Sequence, residues 1–183
     1  MLIVFGGRPG VGKTTLSRTV AHRLGAVYLR VDAVETALWP TVEQAAGSGA
    51  DRPAQRSSPR PDPRLLGSAG YAVVNAVAEA NLRLGSSVVV DAVNPVEAAR
   101  AGWRALAAAV GVPLRVIEAT CSDPAEHRRR VEARTPDAGQ GRVPTWPEVR
   151  EREYEPWTEP RLTVDTIEAP ERLVARIIEY LRT

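Results

Sequence analysis

Gly7-Arg8-Pro9-Gly10-Val11-Gly12-Lys13-Thr14 meets every fixed position of the pattern G-x-x-x-x-G-K-[ST], which cradles phosphate groups in a glycine-rich turn. Gly7, Gly10 and Gly12 permit positive φ, so that successive backbone N–H groups can turn inward and form a nest for phosphate oxygens. Lys13 is the only lysine among 24 lysines and arginines. Where the rest of the chain uses planar guanidiniums, this position keeps a compact ammonium on a flexible stem, suited to β- and γ-phosphates. The Thr14 hydroxyl fits a Mg²⁺ ligand, Thr15 fits an α-phosphate contact, and the helix that follows directs its positive end at the same anion.

The flanks agree with this motif. Leu2-Ile3-Val4-Phe5 has the continuous apolar character of a buried parallel strand, and Leu16, Val20 and Leu24 recur at helical spacing. Further apolar runs over 26–31, 87–90, 113–119 and 162–164 alternate with helical stretches. The expected architecture is α/β: a P-loop NTPase of the nucleoside-kinase type, with a doubly wound five-stranded parallel sheet covered by helices on both faces. Residues 1–183 are expected to form one domain.

Ligands of such sheets bind beyond the carboxyl ends of the strands. Three strand ends carry an acid, in Val31-Asp32, Val90-Asp91 and Val164-Asp165, and the first two precede helices expected to start on the nucleotide side. Phosphoryl transfer requires charge neutralisation and a carboxylate that orients or deprotonates the acceptor hydroxyl. Asp32 is the first choice for that base, although Asp32-x-x-Glu35 also reads as a helix cap. Asp91 is expected to hold a Mg²⁺-bound water or position the acceptor. Glu35, Asn94 and Arg100 are expected to bind the acceptor, although Asn94-Pro95 would serve equally as a cap with proline opening the helix, and Arg100 as a solvated helical residue.

Asp123-Pro124-Ala125-Glu126 needs no role beyond capping. The helix it opens carries Arg128, Arg129, Arg130 and Arg134. Arg130 and Arg134 share a helical face and are expected at the nucleotide, with Arg128 and Arg129 left to the surface. The segment 135–144, with Arg142, is expected to be a lid over the phosphates, and the proline-rich stretch 47–67 a flexible loop on the acceptor side. Trp39 and Tyr71 flank that loop as candidates for lining the acceptor pocket. His22 and His127 read as solvated helical residues and Cys121 as a buried small hydrophobe.

Composition bounds the partners. A net charge of +2 and a pI near 9.0 do not make a nucleic-acid-binding chain. One cysteine cannot form an internal disulfide, and no apolar run approaches the length of a membrane span. The expectation is a cytoplasmic enzyme with ATP and Mg²⁺ as cofactors and a small-molecule hydroxyl acceptor.

With the P-loop, Val31-Asp32, Val90-Asp91-x-x-Asn94 and the Arg130-x-x-x-Arg134 stretch in order, the chain resembles small P-loop kinases of metabolites and antibiotics. It is most similar to the chloramphenicol phosphotransferase family and the related kinases with zeta-toxin-like and tunicamycin-resistance members. That resemblance implies Asp32 as the base, within Val31-Asp32-Ala33-Val34-Glu35. The 5′-hydroxyl polynucleotide kinases offer a second likeness, through Asp91-Ala92-Val93-Asn94 and Arg100. Members of that group carry an arginine shortly after the catalytic acid, where this chain has Glu35, which suits a polyol or amine-bearing acceptor. A third reading, a nucleotide-dependent switch or ATPase acting on a partner protein, lacks a distinct water-orienting side chain.

Overall fold

The computed structural model describes residues 1–38, 63–135 and 143–183. β1 (Leu2–Gly6) is buried along its whole length, and the pleat sends alternate residues to opposite faces. Ile3 and Phe5 join one core with Leu16 and Val20 of α1 (Lys13–Leu24) and with Leu173 and Ile177 of α7 (Pro170–Tyr180). Leu2 and Val4 join the other, with Val74 and Ala78 of α3 (Pro63–Arg83) and Trp103 and Leu106 of α4 (Glu97–Val110). At about 1.5–3 kcal/mol for each large apolar side chain removed from water, these two cores are the main force closing helices over the sheet.

The other strands are β2 (Val27–Arg30), β3 (Val88–Asp91), β4 (Leu114–Thr120) and β5 (Leu162–Asp165). All pairings are parallel, in the order β2-β3-β1-β4-β5, as the alternation of strands and helices predicts. Inserting β3 between β1 and β2 has a direct effect on the site: Phe5 is in register with Asp91, and Asp91 with Arg30. Three distant stretches of sequence therefore end side by side at the carboxyl edge. There the loop after β1 is tied to β3 by Gly7 N–H donating to Val93 O at 3.2 Å and Ala92 N–H donating to Phe5 O at 3.3 Å.

Several boundaries differ from the sequence expectations. β2 stops at Arg30, and residues 31–38 form α2, which places Asp32 in the first helical turn rather than at a strand end. α4 starts at Glu97 with Val96 as its N-cap, so neither Asn94 nor Pro95 begins it. α3 starts at Pro63, an imino acid suited to the first turn because its missing N–H has no partner there. Residues 63–67 of the expected loop are thus helical, and the rest of that loop, with Trp39, lies outside the described residues. α5 (Pro124–Glu132) ends before Arg134, so Arg130 and Arg134 do not share one helix. α6 (Trp146–Glu151) is opened by a Thr145 and Glu148 capping box. Of the expected lid, 136–142 falls outside the described residues. No described helix is long and apolar enough to cross a membrane.

Candidate active site

A cleft of about 470 Å³ at the carboxyl edge gathers Gly10, Gly12, Lys13, Thr14, Asp32 and Asp91. Arginines 18, 30, 129, 130 and 134 line it as well.

The glycine loop begins where β1 leaves the sheet. Gly7 has φ +135°, and a Cβ there would lie 2.3 Å from the Ala119 carbonyl oxygen, so no other residue fits between the loop and β4. Gly12, in the left-handed region, caps α1 without a side chain. Lys13 is the first residue of that helix and is almost fully buried. Its Nζ donates to the Arg8 carbonyl at 3.0 Å. Burial pushes the ammonium below the usual lysine range, and the nearby Asp91 and Asp32 carboxylates counteract this. The Arg8 side chain points out of the cleft instead, donating to Val149 O at 2.9 Å and Arg152 O at 2.8 Å and lying over the Tyr154 ring.

Thr14 Oγ1 donates to Asp91 Oδ2 at 2.7 Å, and Tyr28 OH donates to the same oxygen at 2.8 Å. Asp91 is buried, so these two hydroxyls supply part of the solvation its charge has lost. Burial, and then the Asp91 charge, hold the Tyr28 hydroxyl protonated. A hydroxyl and a carboxylate in contact beside a phosphate loop are hard oxygen donors of the kind Mg²⁺ takes. Among the described residues no group of three or more His, Cys, Asp or Glu forms a metal cage.

On the β2 side, Arg30 NH2 lies 3.5 Å from Asp32 Oδ2. Glu35 is one helical turn further on, packed on α3 where Gly70 leaves room: a Cβ at Gly70 would be 2.5 Å from Glu35 Cγ. Burial, followed by repulsion from Asp32, raises the Glu35 carboxyl to about 7. The Tyr71 hydroxyl accepts from Asn94 N–H at 2.9 Å, and burial raises its pKa, with Glu35 and Asp32 adding to the effect.

Asn94 and Arg100 have structural duties that the sequence reading did not foresee. Asn94 is fully buried with φ +52°, a conformation asparagine tolerates better than most residues. Its amide donates to Phe5 O at 3.0 Å and accepts from Trp103 Nε1 at 2.8 Å. Arg100, buried to 2% exposure, donates to the carbonyls of Asn94, Pro95, Glu155 and Pro156. Its guanidinium also stacks on Trp157 at 4.1 Å. Every polar atom of both side chains has a partner within the protein, and neither residue lines the cleft.

On the opposite wall, Arg130 bonds Glu126 Oε1 at 2.7 Å and reaches Thr166 at both its hydroxyl, 2.9 Å, and its carbonyl, 3.0 Å. The Thr166 hydroxyl lies 2.6 Å from Val11 O, which links the end of β5 to the glycine loop. Asp123 caps α5, accepting from Ala125 and Glu126 N–H as expected. Arg129, expected at the surface, is exposed there, pairs with Glu126 and also borders the cleft. His127 corrects the solvated reading, being 7% exposed with Nε2 2.8 Å from Pro9 O. Cys121 is half-buried rather than buried. Arg18, Arg30, Tyr28 and Thr166 were not foreseen, because strand register and helix packing, not local motif, bring them to the loop.

A strand, a glycine loop capped onto a helix, a buried lysine and a threonine–aspartate pair define the P-loop nucleotide-binding class. More particularly, the chain belongs to the AAA domain family, whose model matches residues 2–145. Solved structures share the fold. A sugar kinase from Janibacter sp. HTCC2649 is 15% identical, covering 99% of this chain and 94% of that one, with a TM-score of 0.66. The Mycobacterium tuberculosis APS kinase, solved with AMPPNP and APS, is 18% identical over 100% and 97% of the two chains, with a TM-score of 0.66. A gluconokinase from Sinorhizobium meliloti 1021 is 18% identical over 98% and 94%, with a TM-score of 0.57. No curated protein sequence matches the chain.

Proposed function

We propose that this protein is an ATP- and Mg²⁺-dependent kinase that transfers the γ-phosphoryl group to a hydroxyl of a small molecule, such as an antibiotic, nucleoside or sugar-like compound. The observation that carries the reading is the Thr14–Asp91 hydrogen bond beside Lys13, in the same cleft as Asp32. The kinase folds of the solved relatives and the likeness to chloramphenicol phosphotransferases point the same way.

In this reading the Lys13 ammonium exchanges the Arg8 carbonyl for phosphate oxygens, a small movement for a flexible stem. Thr14 and, through a water, Asp91 would hold Mg²⁺, which when bound would supply charge neutralisation at the phosphates. Arg130 and Arg134 add positive charge on the far wall of the cleft. Asp32 accepts the acceptor hydroxyl's proton, oriented by its pairing with Arg30. Glu35 and Tyr71 face the acceptor.

Replacing Asp32 by Asn keeps the shape and removes the base. Binding of AMPPNP is expected to persist while transfer falls to background, and near-normal transfer would refute the role of Asp32.

Arg30 favours a second reading, an acceptor that carries an anionic group, as a 5′-hydroxyl polynucleotide does. A guanidinium stands beside the base, and five arginines line the one cleft. Oligonucleotide binding that weakens steeply with salt supports this reading, and no binding at low salt removes it.

A further inference from the structure

We propose that His127 is a positioning residue for nucleotide binding: it holds the Pro9–Gly10 peptide in the orientation that turns the Gly10 N–H toward the phosphate cleft. The proposal rests on the nucleotide reading of that cleft and adds a residue to it.

The sequence Arg8-Pro9-Gly10-Val11 forms a tight turn, with Val11 N–H donating to Arg8 O at 3.4 Å. Proline at the second position and glycine with φ +82° at the third define a type II turn. Type I and type II turns differ in which way the central peptide faces. In a trans peptide the C=O and N–H point in opposite directions, so anchoring one aims the other. Here the central carbonyl, Pro9 O, meets His127 Nε2 at 2.8 Å on the α5 side. A carbonyl only accepts, so Nε2 carries the proton in this contact. The Gly10 N–H is thereby directed away from α5. Pro9 and Gly10 line the phosphate cleft.

The surroundings hold both partners in place. A Cβ on Gly10 would lie 2.4 Å from Val131 Cγ2 and 3.5 Å from His127 Nε2, so α5 packs directly on the turn. The imidazole is fixed from its other side by the Trp146 ring, edge-on at 5.1 Å and 82°. Trp146 is the first residue of α6, so the histidine bridges α6 and the glycine loop.

The test is titration of the folded protein with Mg²⁺·AMPPNP in the absence of any acceptor. His127→Phe keeps an aromatic ring against Trp146 but has no donor, and His127→Gln restores an N–H at a similar reach. His127→Phe is expected to weaken AMPPNP binding about tenfold or more, the value of a hydrogen bond to a charged group, and His127→Gln to recover most of the loss. Unchanged affinity in folded His127→Phe, or equal loss in both variants, overturns the proposal. If His127→Phe does not fold, ring ¹⁵N shifts of the unmodified protein decide: protonated Nε2 supports the assignment and unprotonated Nε2 overturns it. Failure of the unmodified protein to bind AMPPNP would sink the nucleotide reading itself, a result separate from failure of the histidine's role.

Discussion

Replacing Arg100 by Met separates a structural brace from a substrate contact. The guanidinium donates to four carbonyls, those of Asn94, Pro95, Glu155 and Pro156, from a side chain that is 2% exposed. Methionine fills much of the space but donates nothing. A buried acceptor left without a partner costs about 1–3 kcal/mol, and some of the four will recruit water, so a loss of about 3–5 kcal/mol is expected. In a chain of this size each kcal/mol moves the melting temperature by about 2–4 °C, which gives a fall on the order of 10 °C. Urea titration and calorimetry of both proteins measure it. A variant with unchanged stability but a raised KM for the acceptor would refute the brace and restore Arg100 to the substrate site.

Other outcomes follow from the same geometry. Thr14→Val removes the hydroxyl bonded to Asp91; affinity for Mg²⁺·AMPPNP is expected to fall about 10- to 100-fold with little change in stability. Gly7→Ala forces a side chain into positive φ and against the Ala119 carbonyl; destabilisation of about 1–3 kcal/mol from the dihedral alone is expected in urea titration, more with the overlap. Glu35 is raised in the fold from 4.5 to about 7, so the folded chain binds more protons than the unfolded chain between those values. Its contribution to stability therefore declines as pH rises from 4.5 to 7 and is level above 7. Glu35→Gln is expected to gain stability relative to the unmodified protein across that window, and a difference independent of pH would contradict the shift.

The fold was legible because its signals are local. Leu2–Phe5 is apolar without interruption, Gly7 to Thr14 follows it directly, and the later apolar runs coincide with β2 to β5 within a residue or two. Asp91 was legible for the same reason, as an acid at a strand end. What was missed depends on where topology carries a residue. Asn94 and Arg100 looked like surface or site residues until β3 was placed beside β1 and the segment around Glu155 was packed over both. His127 looked solvated because it stands among arginines in Glu126-His127-Arg128-Arg129-Arg130, yet its helical phase turns it under the glycine loop. Arg30 precedes the acid in sequence and joins it only because β2 ends there and the chain turns into a helix.

The most direct measurement of the central claim is product analysis with γ-³²P-labelled ATP and Mg²⁺ over a panel of nucleosides, sugars, antibiotics and 5′-hydroxyl oligonucleotides. Label is expected in a phosphate ester of one small-molecule class, and to be absent from that ester when Asp32 is Asn. Label released only as inorganic phosphate, with no acceptor phosphorylated, would contradict a kinase and favour a nucleotide-dependent switch.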